Sequence, residues 1–500
     1  MNTSDQRAAH LLQQGHLQQA IAAYQSIVRD RPHAADAWYN LGYLFRRTGD
    51  IPAALQAYAQ ALACGAAAPE QIHLNRAVLL SEHLDDAAAA LQELELALHC
   101  RPAYPPALLN LGNLHEELGA RAHAIAAYTQ LLAIAPVDPA TRALQLQAAA
   151  RLLHLNPPTA VDDPRMIGLT QAISVQGLEP PLVATVLHAL AHAYDRLGQH
   201  RHAFDTATAA NRHAYAQVPT YDPQRTQRHF DALMAAFDRV AVESTPLPHA
   251  GAHDATPALF ICGMFRSGST LIEHALSSHS QVAAGGEMDA LPRLVAQRLS
   301  PFPQTVSTLS QQMLAQLALS YRRHLDAVVP DQAQLRYITD KRPDNFQLIG
   351  FIKRLFPSTR IVHTRRHPLD NGLSIFMQQL NPHGFGYAGK LEDIGHFYGA
   401  YHHLMNHWMS LYPDSIHTFD YDAFVAAPEP TLRALLEFLQ LPWEPACLDF
   451  HLAERAVRTA SYWQVRRPLH GEASGRWRSY ATQLAPLRIA LGKAGVPLPD

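Results

Sequence analysis

Paired apolar runs at a near-fixed period constrain the first part of this chain more than any other feature. Gly15, Gly49, His83 and Gly119 stand between such runs at steps of 34, 34 and 36 residues. A small residue follows five positions later each time, at Ala20, Ala54, Ala88 and Ala124. Four further on come Tyr24, Tyr58, Gln92 and Tyr128, and each unit ends near a proline, Pro32, Pro69, Pro102 or Pro136. The physical reading is a helical hairpin. A permissive residue makes the turn, alanine lets the second helix approach the first, and the aromatic fills the gap to the next unit. One such hairpin cannot bury its apolar face alone, so the units must stack into an all-α solenoid.

The period, with Trp38-Tyr39-Asn40-Leu41-Gly42 and Leu109-Asn110-Leu111-Gly112, resembles the tetratricopeptide repeat. The array is expected over residues 1–154, and degenerate helical repeats over 155–243. In the second stretch Leu187 to Asn211 reads as a hairpin, with Leu197-Gly198 at the turn and Ala203 and Ala207 behind it. Arrays of this kind offer concave surfaces to peptides or partner proteins, or brace a neighbouring domain. Pro246, Pro248 and Gly251 mark a linker over 244–256. A second domain is expected over 257–500, since five hundred residues exceed a single core.

That domain opens on the apolar run Ala258 to Cys262, then Gly-Met-Phe-Arg-Ser-Gly-Ser-Thr at 263–270, then a helical pattern through Leu276. Strand, glycine turn and helix start make a phosphate cradle. The loop misses a nucleotide triphosphatase pattern by one residue, because Ser269 stands where lysine would face the outer phosphates. Serine cannot carry that charge, which disfavours an ATPase or kinase. Arg266 adds a guanidinium, and Ser267, Ser269 and Thr270 add hydroxyls around Gly268. Strands at Tyr337 to Lys341 and Arg360 to Thr364, with helices between, predict a P-loop-like α/β domain on a parallel sheet. Ligands in such sheets lie beyond the carboxyl ends of the strands. A second cluster at such an end, Arg365 to Ser374, offers Arg366 and Ser374 to a separate phosphate. Two phosphate sites on one sheet suggest a ligand phosphorylated at both ends of a ribose.

Bulk properties narrow the class. The chain is 48% apolar and 17% charged, with formal net charge -3, so bulk attraction to nucleic acid is not indicated. No secretory pattern opens the sequence and no stretch is long enough to span a bilayer. Cys64, Cys100, Cys262 and Cys447 are far apart and in no metal spacing, which fits a reducing cytoplasm. The histidines are scattered without a metal pattern. Only four lysines occur, and Lys341 is the first, so compositional habit does not explain it.

The cradle, the Arg366 to Ser374 segment and a late Arg476-Trp477 resemble the sulfotransferases that use 3'-phosphoadenosine 5'-phosphosulfate (PAPS). Gly285-Gly286-Glu287, Lys341-Arg342-Pro343 and Ser461-Tyr462-Trp463-Gln464-Val465 are closer to tyrosylprotein sulfotransferases and their bacterial relatives with tetratricopeptide repeats. The resemblance covers roughly residues 257 to 480 and implies in-line sulfuryl transfer from PAPS, as co-substrate, to an acceptor hydroxyl, without a metal. It implies that Glu287 takes the acceptor proton, that Arg266 and Lys341 offset developing charge, and that Ser461 donates a hydrogen bond. Residues 266–270 would hold the 5' phosphosulfate, Arg366 and Ser374 the 3' phosphate, and Arg476 would neutralise the phosphates from the far side. A protein or peptide tyrosine is the expected acceptor, with carbohydrate or small-molecule hydroxyls as alternatives. The rival class is a repeat-based interaction protein whose transferase domain binds nucleotide without turning it over.

Overall fold

A computed structural model describes residues 3–84, 86–175, 177–239, 257–329, 332–452, 469 and 471–499. It divides into two compact units, 1–174 and 175–500.

The first unit is all helical. Hairpins form from Thr3–Gln13 with Leu17–Asp30, Ala35–Thr48 with Ile51–Ala63, Pro69–Leu84 with Ala87–Cys100, and Pro105–Glu117 with Arg121–Ala133; the helices Pro139–Leu155 and Pro164–Ile173 follow. Gly15, Gly49 and Gly119 take left-handed conformations at the turns. Ala20, Ala54 and Ala124 are fully buried. The third unit departs from the expected register. His83 lies in the last turn of its helix, and Ala90 and Leu94 are buried where Ala88 and Gln92 were expected. The register slips by two residues because no glycine stops the helix at His83. Tyr58 packs with Ile72 and Leu79 of the following unit, and two of the tyrosines also have a partner in their own unit. Tyr58 and Tyr128 lie over Gly42 and Gly112 on the first helix of their own hairpins, where an added Cβ would meet the rings at 2.6 and 2.3 Å.

The second unit is built on a five-stranded parallel sheet: β1 (Ala258–Gly263), β2 (Val282–Ala284), β3 (Tyr337–Lys341), β4 (Ile361–Arg365) and β5 (Ile416–Asp420), in spatial order β2-β3-β1-β4-β5. Every residue of β1 is buried, as a central strand covered on both faces requires. Leu259 and Ile261 face a core with Ile272, Leu276, Leu432 and Leu436; Phe260 and Cys262 face the opposite core. Strand order reverses about β1, so the crevice beyond its carboxyl end is the place for a ligand.

The helices Pro180–Arg196, His200–Ala214 and Pro223–Ala236 share that second core. Phe204 stacks on Phe376 at 5.0 Å, and Asn211 Nδ2 donates to the Phe376 carbonyl at 3.0 Å. Phe237 is fully buried with its ring over Gly350. Truncating such a phenylalanine costs about 3–5 kcal/mol. The expected linker at 244–256 lies outside the described residues.

Candidate functional site

The cradle follows β1 directly. Gly263 has φ 156°, and an added Cβ would meet the Thr364 carbonyl at 2.3 Å, so only glycine lets β1 turn this close to β4. Gly268 has φ 101° and caps the helix Ser269–Ser277. Arg266 holds a left-handed φ of 67°, uncommon outside glycine and a mark of functional loops. Ser267 Oγ is spent on structure. It shares a 2.6 Å hydrogen bond with Thr364 Oγ1, which ties the loop to β4. Ser269 and Thr270 are buried in the first turn of the helix.

The two expected clusters meet. Arg266 Nε donates to Ser374 Oγ at 3.1 Å, and Arg366 Nη1 reaches the Arg266 carbonyl at 3.5 Å. Asn371 Nδ2 holds the Phe265 carbonyl at 3.0 Å. Arg366 lies over the Tyr421 ring at 5.1 Å and donates to the Ala473 carbonyl, while its buried Nε has no partner among the described residues. Arg476 joins from the C-terminal segment and pairs with Asp195 Oδ2 at 2.8 Å. Burial, reinforced by the charges of Arg366 and Arg476, pushes Arg266 down to about 10. Three guanidiniums thus converge at the end of β1. Asp370 fixes this arrangement from below, accepting from the Gly475 and Trp477 amides at 2.6 and 2.7 Å; burial raises its pKa against the pull of Arg366.

The second part of the site lies at the end of β3. Lys341 is 1% exposed, and its Nζ meets Glu287 Oε1 at 2.5 Å. The Glu287 side chain is 42% exposed, so the carboxylate bridges a buried cation and open solvent. The loop beneath it is pinned by Glu273. That buried carboxylate accepts from Thr339 Oγ1 at 2.7 Å and from the Gly286 amide at 3.1 Å, and Thr339 Oγ1 accepts from the Gly285 amide at 3.1 Å. Burial raises the Glu273 pKa, and Lys341 opposes the rise. Asp289 pairs with Arg342 at 2.5 Å and with Arg293 at 3.4 Å. Ser461 lies outside the described residues.

Sequence reasoning missed Glu273, Asp370 and Asp195. Each acts on the candidate set from a different element; Asp370 lies inside the Arg366 to Ser374 segment, and Glu273 and Asp195 stand in no motif. The two histidines nearest the motifs serve structure. His279 bonds the Pro442 carbonyl at 2.9 Å, and His367 caps its helix and stacks on Trp477 at 5.2 Å. Among the described residues no group of His, Cys, Asp and Glu is arranged to hold a metal, and no helix is long and apolar enough to cross a membrane.

A model described as sulfotransferase family matches residues 257–445, and tetratricopeptide-repeat models match 6–70 and 107–143. The chain therefore carries a sulfotransferase-family domain after tetratricopeptide repeats. An uncharacterized protein of Aquifex aeolicus is 34% identical over 247 residues, 47% of this chain and 32% of its own length. Protein-tyrosine sulfotransferase 1 of Danio rerio is 25% identical over 273 residues, 51% of this chain and 74% of its own. Protein-tyrosine sulfotransferase 1 of Homo sapiens is 26% identical over 208 residues, 39% of this chain and 54% of its own. Among solved structures, the sulfotransferase domain of the Synechococcus PCC 7002 olefin synthase is 18% identical, covering 50% of this chain and 98% of that one, with a TM-score of 0.36. A likeness at that score carries no argument.

Proposed function

We propose that the second unit moves a sulfuryl group from PAPS to an acceptor hydroxyl, and that the acceptor is a tyrosine of a protein chain. The observation that carries the reading is the convergence of Arg266, Arg366 and Arg476 on a glycine-built cradle, beside the Lys341–Glu287 pair. The residues present suit a bisphosphorylated nucleotide. Among the described residues, the unpartnered Arg366 Nε and the excess of guanidiniums over carboxylates call for an anion. The cradle amides with Gly268, Ser269 and Thr270 would hold the 5' end, and Arg366 with Ser374 the 3' phosphate. Ser267 contributes its backbone, since its hydroxyl is engaged by Thr364.

The nucleotide would supply an activated sulfuryl group on a phosphate leaving group. Glu287, at the rim, receives the proton of the acceptor hydroxyl. Lys341, in contact with that carboxylate, exchanges it for the charge that builds on the leaving side, with Arg266 opposite. Ser461 belongs to the same set as a hydrogen-bond donor. No step calls on a metal. The relatives named protein-tyrosine sulfotransferases support tyrosine as acceptor, and a repeat array suited to holding peptides supports a protein substrate or partner. The four unpaired cysteines favour a cytoplasmic setting.

Calorimetry tests the nucleotide class. Adenosine 3',5'-bisphosphate is expected to bind without magnesium and more tightly than Mg-ATP; the reverse order rejects the reading. Labelled PAPS incubated with the protein and cell extract tests the acceptor. Label on protein tyrosine is expected, and label on glycans or small molecules alone rejects tyrosine while keeping the chemistry. Binding without any turnover would make the domain a nucleotide-binding relic.

A further inference from the structure

We infer that Asp195, on the helix Pro180–Arg196, is a positioning residue for Arg476 and so for the phosphate that Arg476 meets. The inference rests on the nucleotide reading of the site. Asp195 and Arg476 both lie outside the segment matched by the sulfotransferase model, residues 257–445.

Arg476 is held by two carboxylates from two different helices. Asp370, on the helix Pro368–Phe376, takes the amides of Gly475 and Trp477 and so fixes the backbone on either side of Arg476. Asp195 fixes the side chain. Its Oδ2 pairs with Arg476 Nη2 at 2.8 Å, and its Oδ1 accepts from the Tyr480 hydroxyl. Tyr480 is fully buried, lies under the guanidinium at 5.7 Å, and packs edge-on against His200 at 5.1 Å. His200 Nδ1 stands 3.7 Å from Asp195 Oδ1. The carboxylate is therefore held by the Tyr480 hydroxyl, with His200 beside it, before it meets the arginine.

The need for such a partner is electrostatic. Arg476 and Arg366 each lie near enough to Arg266 for their charges to oppose its own. Burial is the largest influence on the Arg476 charge and works against it, but Asp195 and Tyr480 together more than offset it, so its pKa is raised. Without a fixed carboxylate behind it, a long side chain facing a like charge would swing toward solvent and lose rotamer order. The hairpin that carries Asp195 is seated on the site itself, because Phe204 and Asn211 engage Phe376, two residues after Ser374. A segment that reads in the sequence as degenerate repeats thus supplies part of the donor site.

The test uses the full chain and adenosine 3',5'-bisphosphate. Asp195→Ala is expected to weaken binding about tenfold, the worth of one well-placed charge contact to a phosphate. Asp195→Asn, which keeps an acceptor oxygen, should lose less. With Arg476 already replaced by Ala, Asp195→Ala should add no further loss. In turnover the KM for the nucleotide should rise while kcat at saturation holds, a split that general loosening of the fold would not give. Should Asp195→Ala not fold, Asp195→Asn carries the test, and its affinity must still fall. Unchanged or tighter binding in a variant of a chain that binds when unaltered overturns the inference alone, since Asp195 would then merely compete with phosphate. No binding by the unaltered chain overturns the nucleotide reading and this inference with it.

Discussion

The two ends of the site solve opposite electrostatic problems. Beyond β1, Arg266, Arg366 and Arg476 gather with more positive charge than their carboxylate partners Asp195 and Asp370 offset, and Arg366 Nε and Arg476 Nη2 make no hydrogen bond among the described residues. Beyond β3, the charges come in pairs: Lys341 with Glu287, Arg342 with Asp289 and Asp344, Arg293 with Asp289. An unbalanced buried charge is tolerated where an anion completes it. A balanced set suits a neutral hydroxyl, which brings no charge and asks only for a proton acceptor. Under the proposed function, the difference would separate binding from chemistry along one sheet edge, with the nucleotide at the unbalanced end and proton transfer at the balanced one.

Substitutions can break that separation. Glu287→Gln is expected to lower turnover by about 10² to 10⁴ and leave bisphosphate affinity unchanged. A matching loss of affinity would show that the two ends are not independent. Lys341→Met should lower kcat by about 10² to 10³ with a small change in nucleotide binding, because its charge is needed most when the leaving group departs. Arg366→Ala should act the other way. Bisphosphate affinity should fall about tenfold to a hundredfold, and its salt dependence should flatten. Steady-state kinetics beside calorimetry at two salt concentrations separates the three outcomes.

A smaller effect concerns the ground under the balanced end. Asp340, the residue before Lys341, is buried and hydrogen-bonded by Tyr321 at 2.8 Å and Asn345 at 3.0 Å. Burial raises its carboxyl to about 7. The native state therefore keeps a proton that the unfolded chain releases near pH 4, and stability drains away as pH climbs toward 7. Asp340→Asn removes this slope. Urea unfolding at pH 5.5 and 7.5 should show the variant gaining about 1–2 kcal/mol on the parent protein at the higher pH. A constant difference between the two pH values would mean that Asp340 is ionised throughout.

Legibility in the sequence followed locality. The cradle from Gly263 to Thr270 is one contiguous strand-turn-helix, and two of its three positive-φ positions are glycines, so eight letters were enough to place it. Lys341 and Arg366 stand at or just past strand ends, where a motif and an apolar run meet. The strands β2 and β5 escaped notice for a physical reason. Val282–Ala284 is three residues long, and Ile416–Asp420 is an edge strand buried only at Ile416 and Phe419, too weak a pattern to separate from a loop. The third repeat slipped by two residues because nothing in its letters marks a turn as strongly as Gly49 or Gly119 does.

The positioning carboxylates were out of reach for a different reason. Glu273 reads as one polar residue on an apolar helix, Asp370 as a first-turn acid, and Asp195 as an ordinary charge near a helix end. Each gains its role only when another element arrives: Thr339 and Gly286 at Glu273, Gly475 and Trp477 at Asp370, Arg476 at Asp195. Short-range periodicity and turn chemistry are written along the chain, so the sequence by itself determined two architectures, a cradle and the residues that line it. Charge balance depends on distances between segments far apart in sequence, in surroundings from which water has been removed. Only the tertiary structure decided that three arginines would share one crevice, and which carboxylates would hold them there.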